Sequence, residues 1–108
     1  MSKQTFEQRY RADVRLIILK LLADRPGEQS NSGLLYTGLD YMGVTIGRAD
    51  LIADLEYLEI HQLVELEQLG GNDPRLYSVR MLEKGKDFLA GNVRIDGVSA
   101  PARQRGAK

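Results

Sequence analysis

The chain of 108 residues contains no cysteine. That excludes disulfides, thiolate metal sites and cysteine nucleophiles. It has a single histidine, His61, so a soft-metal site has no ligand set to draw on and no metal is expected. No apolar run approaches the roughly 20 residues of a membrane-spanning helix. The opening residues Met1-Ser2-Lys3-Gln4-Thr5 lead into charged sequence and lack the apolar stretch of a signal peptide, so a soluble cytoplasmic protein is expected. Net charge is also missing, with 15 basic residues balanced by 15 acidic ones. That balance counts against a strong non-specific polyanion binder, whose affinity rests on counterion release.

Hydrophobic residues make up 43% of the chain, enough for one core. The charges are unevenly spread. Residues 3–25 carry Lys3, Arg9, Arg11, Arg15, Lys20 and Arg25 against Glu7, Asp13 and Asp24. Residues 94–108 carry Arg94, Arg103, Arg105 and Lys108 against Asp96. The two ends are therefore basic and the middle acidic, so a polyanion should meet the ends first.

Periodicity predicts a first helix over residues 5–24, with Phe6, Tyr10, Val14, Ile17 and Leu21 on one face and Pro26-Gly27 ending it. Arg9, Arg11 and Arg15 fall on its polar positions, where a solvated face is the ordinary reading. A polar connection, Glu28 to Ser32, offers Ser30, Asn31 and Ser32 as N-caps of a second helix. That helix runs to about Met42, buries Leu35, Leu39 and Met42, and stops at Gly43. Thr45 is a plausible N-cap for a third helix from Ile46 to about His61. Leu51, Leu55 and Leu58 form its apolar face, with Ile52 beside them; Gly47, Asp50, Asp54, Tyr57 and His61 share the opposite one.

Residues 63–69 and 75–81 alternate as strands do and flank the turn signal Gly70-Gly71-Asn72-Asp73-Pro74, which predicts a β-hairpin. A short last helix covers about Leu82 to Ala90. The expected organisation is one domain over residues 1–92 and a basic, flexible tail over 93–108. The expected fold class is mainly α with a small hairpin: a winged helix-turn-helix with a three-helix core, a two-stranded wing and a C-terminal helix. The short Gly43-Val44-Thr45 connection brings helices two and three into a helix-turn-helix, which presents its second helix to a groove.

The stretch Leu55-Glu-Tyr-Leu58-Glu-Ile-His-Gln-Leu63-Val64 resembles the passage in winged helix-turn-helix proteins where the recognition helix ends and the first wing strand begins. A glycine usually precedes that Leu-Val pair; Gln62 stands there instead, so a different helix cap is expected. Asn31-Ser32, Arg48 to Leu58, Val64, Glu83 to Asp87, Gly91, Gly97-Val98 and Pro101 are also similar to small winged-helix proteins of Mu-like prophages, some of them labelled ArsR-like regulators. The resemblance implies a phage or prophage protein that binds double-stranded DNA or regulates transcription.

The candidate DNA contacts are Thr45, Arg48, Asp50 and Tyr57 around helix three, with Asp54 beside them, and Arg75 and Arg80 in the wing. Arg48 could bond bidentately to guanine, an Asp could accept from cytosine N4, and the wing arginines could meet phosphate or enter a minor groove. Against this, residues 46–62 are acidic, and Gly47, Ala49 and Ala53 are small where base-reading side chains are expected. Asp50 also suits the first turn of a helix electrostatically, and Arg75 and Arg80 can simply pair with Glu65 and Glu67. The alternative is a winged-helix protein-interaction module whose acidic helix three meets a basic partner. A homodimer is a further expectation, through Phe6 and Tyr10 or Phe88-Leu89. No enzyme is expected: Gly70-Gly71 lies in a hairpin rather than a phosphate loop, and carboxylates four apart on a surface helix are common without chemistry. No cofactor and no small-molecule ligand are expected.

Overall fold

The structure is a computed structural model that describes residues 4–73 and 76–101. Helix α1 spans Phe6–Ala23, strand β1 Gln29–Asn31, α2 Ser32–Tyr41, α3 Arg48–Ile60, β2 Val64–Gln68, β3 Tyr77–Met81 and α4 Glu83–Leu89. Among the described residues these make four α-helices and a small three-stranded antiparallel sheet of order β1-β3-β2.

The helix starts follow from local chemistry. Thr5 and Gln8 form a capping box: the Thr5 hydroxyl accepts the Gln8 amide at 3.1 Å and the Gln8 side chain accepts the Thr5 amide at 2.9 Å. Asn31 caps α2 by accepting the Leu34 amide at 2.8 Å. Helix α3 departs from expectation. It begins at Arg48 with Gly47 as N-cap, and Thr45 is an exposed residue of the preceding turn. Ile46 is drawn into the core instead, which moves the helix start past Thr45.

Three helix ends use one device. Gly43 after α2 and Gly91 after α4 take left-handed φ values of 83° and 87°, and the two amides that follow each helix bond back to its last turn. Gln62 does the same after α3, at φ 65°: its amide reaches Glu59 O at 2.9 Å and the Leu63 amide reaches Leu58 O at 2.9 Å. The cap expected to differ at Gln62 is thus the ordinary left-handed one, built without glycine.

The hairpin is present as β2 and β3, with Val64 opposite Met81 and Gln68 opposite Tyr77. The third strand is the main difference from expectation. Gln29-Ser30-Asn31 pairs antiparallel with Arg80-Val79-Ser78. Polar residues without alternation carry no strand signal, and only the proximity of β3 makes this segment a strand. The Ser32 hydroxyl then accepts the Tyr77 amide at 3.0 Å, fastening the start of α2 to β3.

The core joins Val14, Ile18, Leu19 and Leu22 of α1 to Leu35 and Leu39 of α2, Leu51, Leu55 and Leu58 of α3, and Val79 and Phe88 from the C-terminal half. Met42 is not part of it. Helix α4 seats so closely that a Cβ on Gly85 would lie 2.5 Å from the Leu63 carbonyl oxygen.

The chain then turns back across α1 and α3. Val98 enters the core, and the Ser99 amide bonds Ala12 O at 3.1 Å. Residues 93–101, expected within a tail, are packed on the domain; residues 102–108 lie outside the described ones.

Candidate interface on the third helix

Helix α3 is held by three neighbours, and each fixes one side of it. Leu51, Leu55 and Leu58 face the core. Asp54 is turned toward α1 and is fully buried, which corrects its placement on the solvent face. Its Oδ1 accepts from Arg11 Nη2 and Arg15 Nε, both at 2.9 Å, while Oδ2 is buried without a hydrogen-bond partner. Burial pushes the Asp54 carboxyl up, the two guanidiniums pull it down, and burial is the larger effect, so it sits above the usual carboxylate range. Arg11 and Arg15 are mostly covered and are not a solvated face.

The sequence contains a signal for this cluster. Leu51, Asp54, Leu55 and Leu58 fall at i, i+3, i+4 and i+7, the spacing of a buried stripe, and Arg11 and Arg15 are one turn apart on α1. A carboxylate inside an apolar stripe needs a buried partner.

The third side of α3 lies under the returning chain. Tyr57 donates its hydroxyl to Asp96 O at 2.7 Å, and Arg15 Nη1 donates to Gly97 O at 2.9 Å. The Arg15 guanidinium also stacks on the Tyr57 ring, 3.8 Å from its centroid, and the His61 ring lies 4.6 Å away on the same side chain.

These contacts decide the fate of each candidate DNA residue. Asp50 remains exposed, but its carboxylate lies 3.5 Å from Arg11 Nη1 and its carbonyl accepts from Arg11 at 2.9 Å. Tyr57 is anchored by Asp96 and Arg15. Arg80 pairs across the hairpin with Glu65. Arg48 is exposed at the start of α3, its guanidinium 4.4 Å from the Tyr36 ring centroid. Thr45 is exposed nearby. Arg75 lies outside the described residues. Thr45 and Arg48 therefore share the start of α3, while Asp50, Tyr57 and Arg80 are held in separate contacts.

Among the exposed residues of α3, Ala49, Ala53, Glu56 and Ile60 form a stripe spaced by four and three, flanked by exposed Arg48, Asp50 and Glu59. Ile60 is 76% exposed. Beside this stripe, the Glu59 carboxylate accepts the outward amide of Leu66 at 3.2 Å and covers the free edge of β2.

Among the described residues, no three His, Asp or Glu side chains gather to hold a metal ion, and no helix is long and apolar enough to cross a membrane.

No protein-family model and no solved structure matches the chain. It is 34% identical over 89 residues to gp26, an uncharacterized protein of Escherichia phage Mu, an alignment covering 82% of this chain and 88% of the Mu protein. The chain belongs to the Mu gp26 family. It is thus a protein of Mu-like phage type.

Proposed function

We propose that this member of the Mu gp26 family is a winged helix-turn-helix domain whose third helix docks on a protein partner bearing basic groups around an apolar patch. Support for the fold reading comes from the element order α1-β1-α2-α3-β2-β3, with a tight turn between α2 and α3 and a hairpin after α3.

One observation carries the docking reading. The outward stripe Ala49-Ala53-Glu56-Ile60 contains no side chain that can donate a hydrogen bond to a base edge or a phosphate. Its small and apolar positions gain from leaving water against another protein. Glu56 repels a phosphate backbone and attracts a cation.

A second reading, a DNA-binding transcriptional regulator, is favoured by the exposure of Thr45 and Arg48 at the start of α3. There Arg48 is placed to reach a guanine or a phosphate.

Titration of labelled duplex DNA from the surrounding phage genome separates the two. Docking expects only non-specific affinity at physiological salt, a Kd of about 10⁻⁴–10⁻⁶ M. It expects indifference to Arg48→Ala and tighter binding for Glu56→Lys. Submicromolar binding that Arg48→Ala weakens about tenfold overturns docking in favour of the regulator. In phage-producing cells, a photo-crosslinker at Ala53 should capture one phage protein, and Glu56→Lys should abolish the capture; no crosslink also overturns the docking reading.

A further inference from the structure

The largest exposed apolar side chains on one element lie at and just after α2. Tyr41 is 92% exposed, Leu34 60% and Met42 55%. Leu34, Thr37, Gly38 and Tyr41 share one face of the helix at spacings of three, one and three. Between this face and the end of α1 runs an open groove of about 530 Å³, with Leu21 and Leu35 in its walls and Arg25 on it. Tyr36, on the opposite side of α2, faces Arg48, so the groove looks away from α3.

We infer that this face binds a second copy of the chain, forming a two-fold dimer through α2. Leu34 and Tyr41 are seven residues apart. An antiparallel crossing of two α2 helices centred between Thr37 and Gly38 therefore sets each Leu34 against the partner's Tyr41. Exposed Thr37 lies at the crossing, Gly38 lets Leu21 of the same chain pack closely from behind (a Cβ there would lie 3.3 Å from it), and Tyr41 enters the groove of the other copy. Such an isologous contact uses one patch twice and needs it to be self-complementary.

The charges meet that condition. Asp40 is the single charged residue of α2, and Arg25 is the single charged residue lining the groove. No ion pair within the chain engages either among the described residues. An inserted Tyr41 brings the neighbouring Asp40 to the other copy's Arg25.

The area is also adequate. With a large side chain at roughly 200 Å², the three exposed residues offer about 400 Å² of apolar surface. That is about half of the ~800 Å² per partner in a standard interface, and roughly the apolar share such interfaces have. Of the two faces expected for association, Phe88 is buried in the core, whereas Phe6 is 81% exposed but stacks only on Tyr10 of its own helix among the described residues.

Sedimentation across micromolar concentrations, in a buffer near neutral pH, tests the inference. The wild-type chain should sediment at twice its 12.1 kDa mass. Tyr41→Glu should raise the dissociation constant about 30-fold or more. Ile60→Glu, on the α3 face, should leave it unchanged. Arg25→Asp should weaken the dimer, and adding Asp40→Arg should restore it. Because the chain has no cysteine, Thr37→Cys supplies a lone thiol at the crossing, and oxidation should link it into dimers while Ala53→Cys stays monomeric. A wild-type monomer at these concentrations, or a dimer indifferent to Tyr41→Glu, overturns the inference. So does a dimer broken by Ile60→Glu. All these variants sit at exposed positions, and circular dichroism shows whether each is folded.

Discussion

The hydroxyl of Tyr57 occupies the space that a side chain at position 97 would need: a Cβ on Gly97 would lie 2.1 Å from it. Gly97 also sits at a left-handed φ of 84°, where other residues are strained. Gly97→Ala should therefore lift residues 96–98 off α3, break the Tyr57–Asp96 bond and cost about 2–4 kcal/mol. Urea unfolding measures the loss. In the Tyr57→Ala background the same change should cost about 1 kcal/mol, the backbone strain alone. Equal costs in both backgrounds would mean that Tyr57 and Gly97 are not in conflict.

The Asp54 cluster should give the fold an unusual dependence on pH. Its folded carboxyl lies above the usual range, so it binds a proton more tightly folded than unfolded. Its contribution to stability is then full below the unfolded value near 3.8 and is lost as pH rises through the folded one. The Asp54→Asn variant lacks that loss. The melting temperature of the wild type relative to Asp54→Asn should fall as pH rises from about 3.5 toward neutrality. A relative rise would mean that Arg11 and Arg15 outweigh burial. Asp54→Leu, by contrast, takes from two largely covered guanidiniums the carboxylate they share, leaving Arg11 with Asp50 and Arg15 with the Gly97 carbonyl, and should cost about 3 kcal/mol.

Gln62 offers a stabilising substitution. It holds a glycine conformation at φ 65° in the cap of α3. Gln62→Gly should stabilise the chain by about 1 kcal/mol, because the left-handed strain outweighs the added freedom of the unfolded backbone. Thermal melts compare the two. A lower melting temperature in the glycine variant would show that the Gln62 side chain contributes more than its strain costs.

Gly85 should tolerate nothing larger. Its missing side chain leaves room for the Leu63 carbonyl and for Met81, which would lie 2.5 and 2.7 Å from a Cβ. Gly85→Ala pushes against backbone rather than a flexible side-chain tip, so a loss of about 2–3 kcal/mol is expected in chemical denaturation. A loss under about 0.5 kcal/mol would mean that α4 slides freely on the hairpin.

Local rules located most of the elements. The capping chemistry of Thr5 and Asn31 and the glycine at 43 mark helix ends in any context, because the groups that satisfy them lie within a few residues. Strand β1 escaped because Gln29-Ser30-Asn31 has no preference of its own. Thr45 misled as a cap because burial of Ile46 set where α3 begins. The candidate site was less legible. Asp50 and Tyr57 read as surface groups, yet their partners Arg11 and Asp96 are each about 39 residues distant, whereas the Arg80–Glu65 pair was legible from the hairpin alone.

By itself, then, the sequence determined which segments are helical, where the hairpin turns and that no thiol chemistry operates. These depend on periodicity, caps and composition, which are local. Only the tertiary structure decided that Asp54 is the buried partner of Arg11 and Arg15, that residues 93–101 close over Tyr57, and that α3 turns Ala49, Ala53, Glu56 and Ile60 outward. Which side of a helix meets solvent is set by what packs against its other sides, and here those neighbours come from the two ends of the chain.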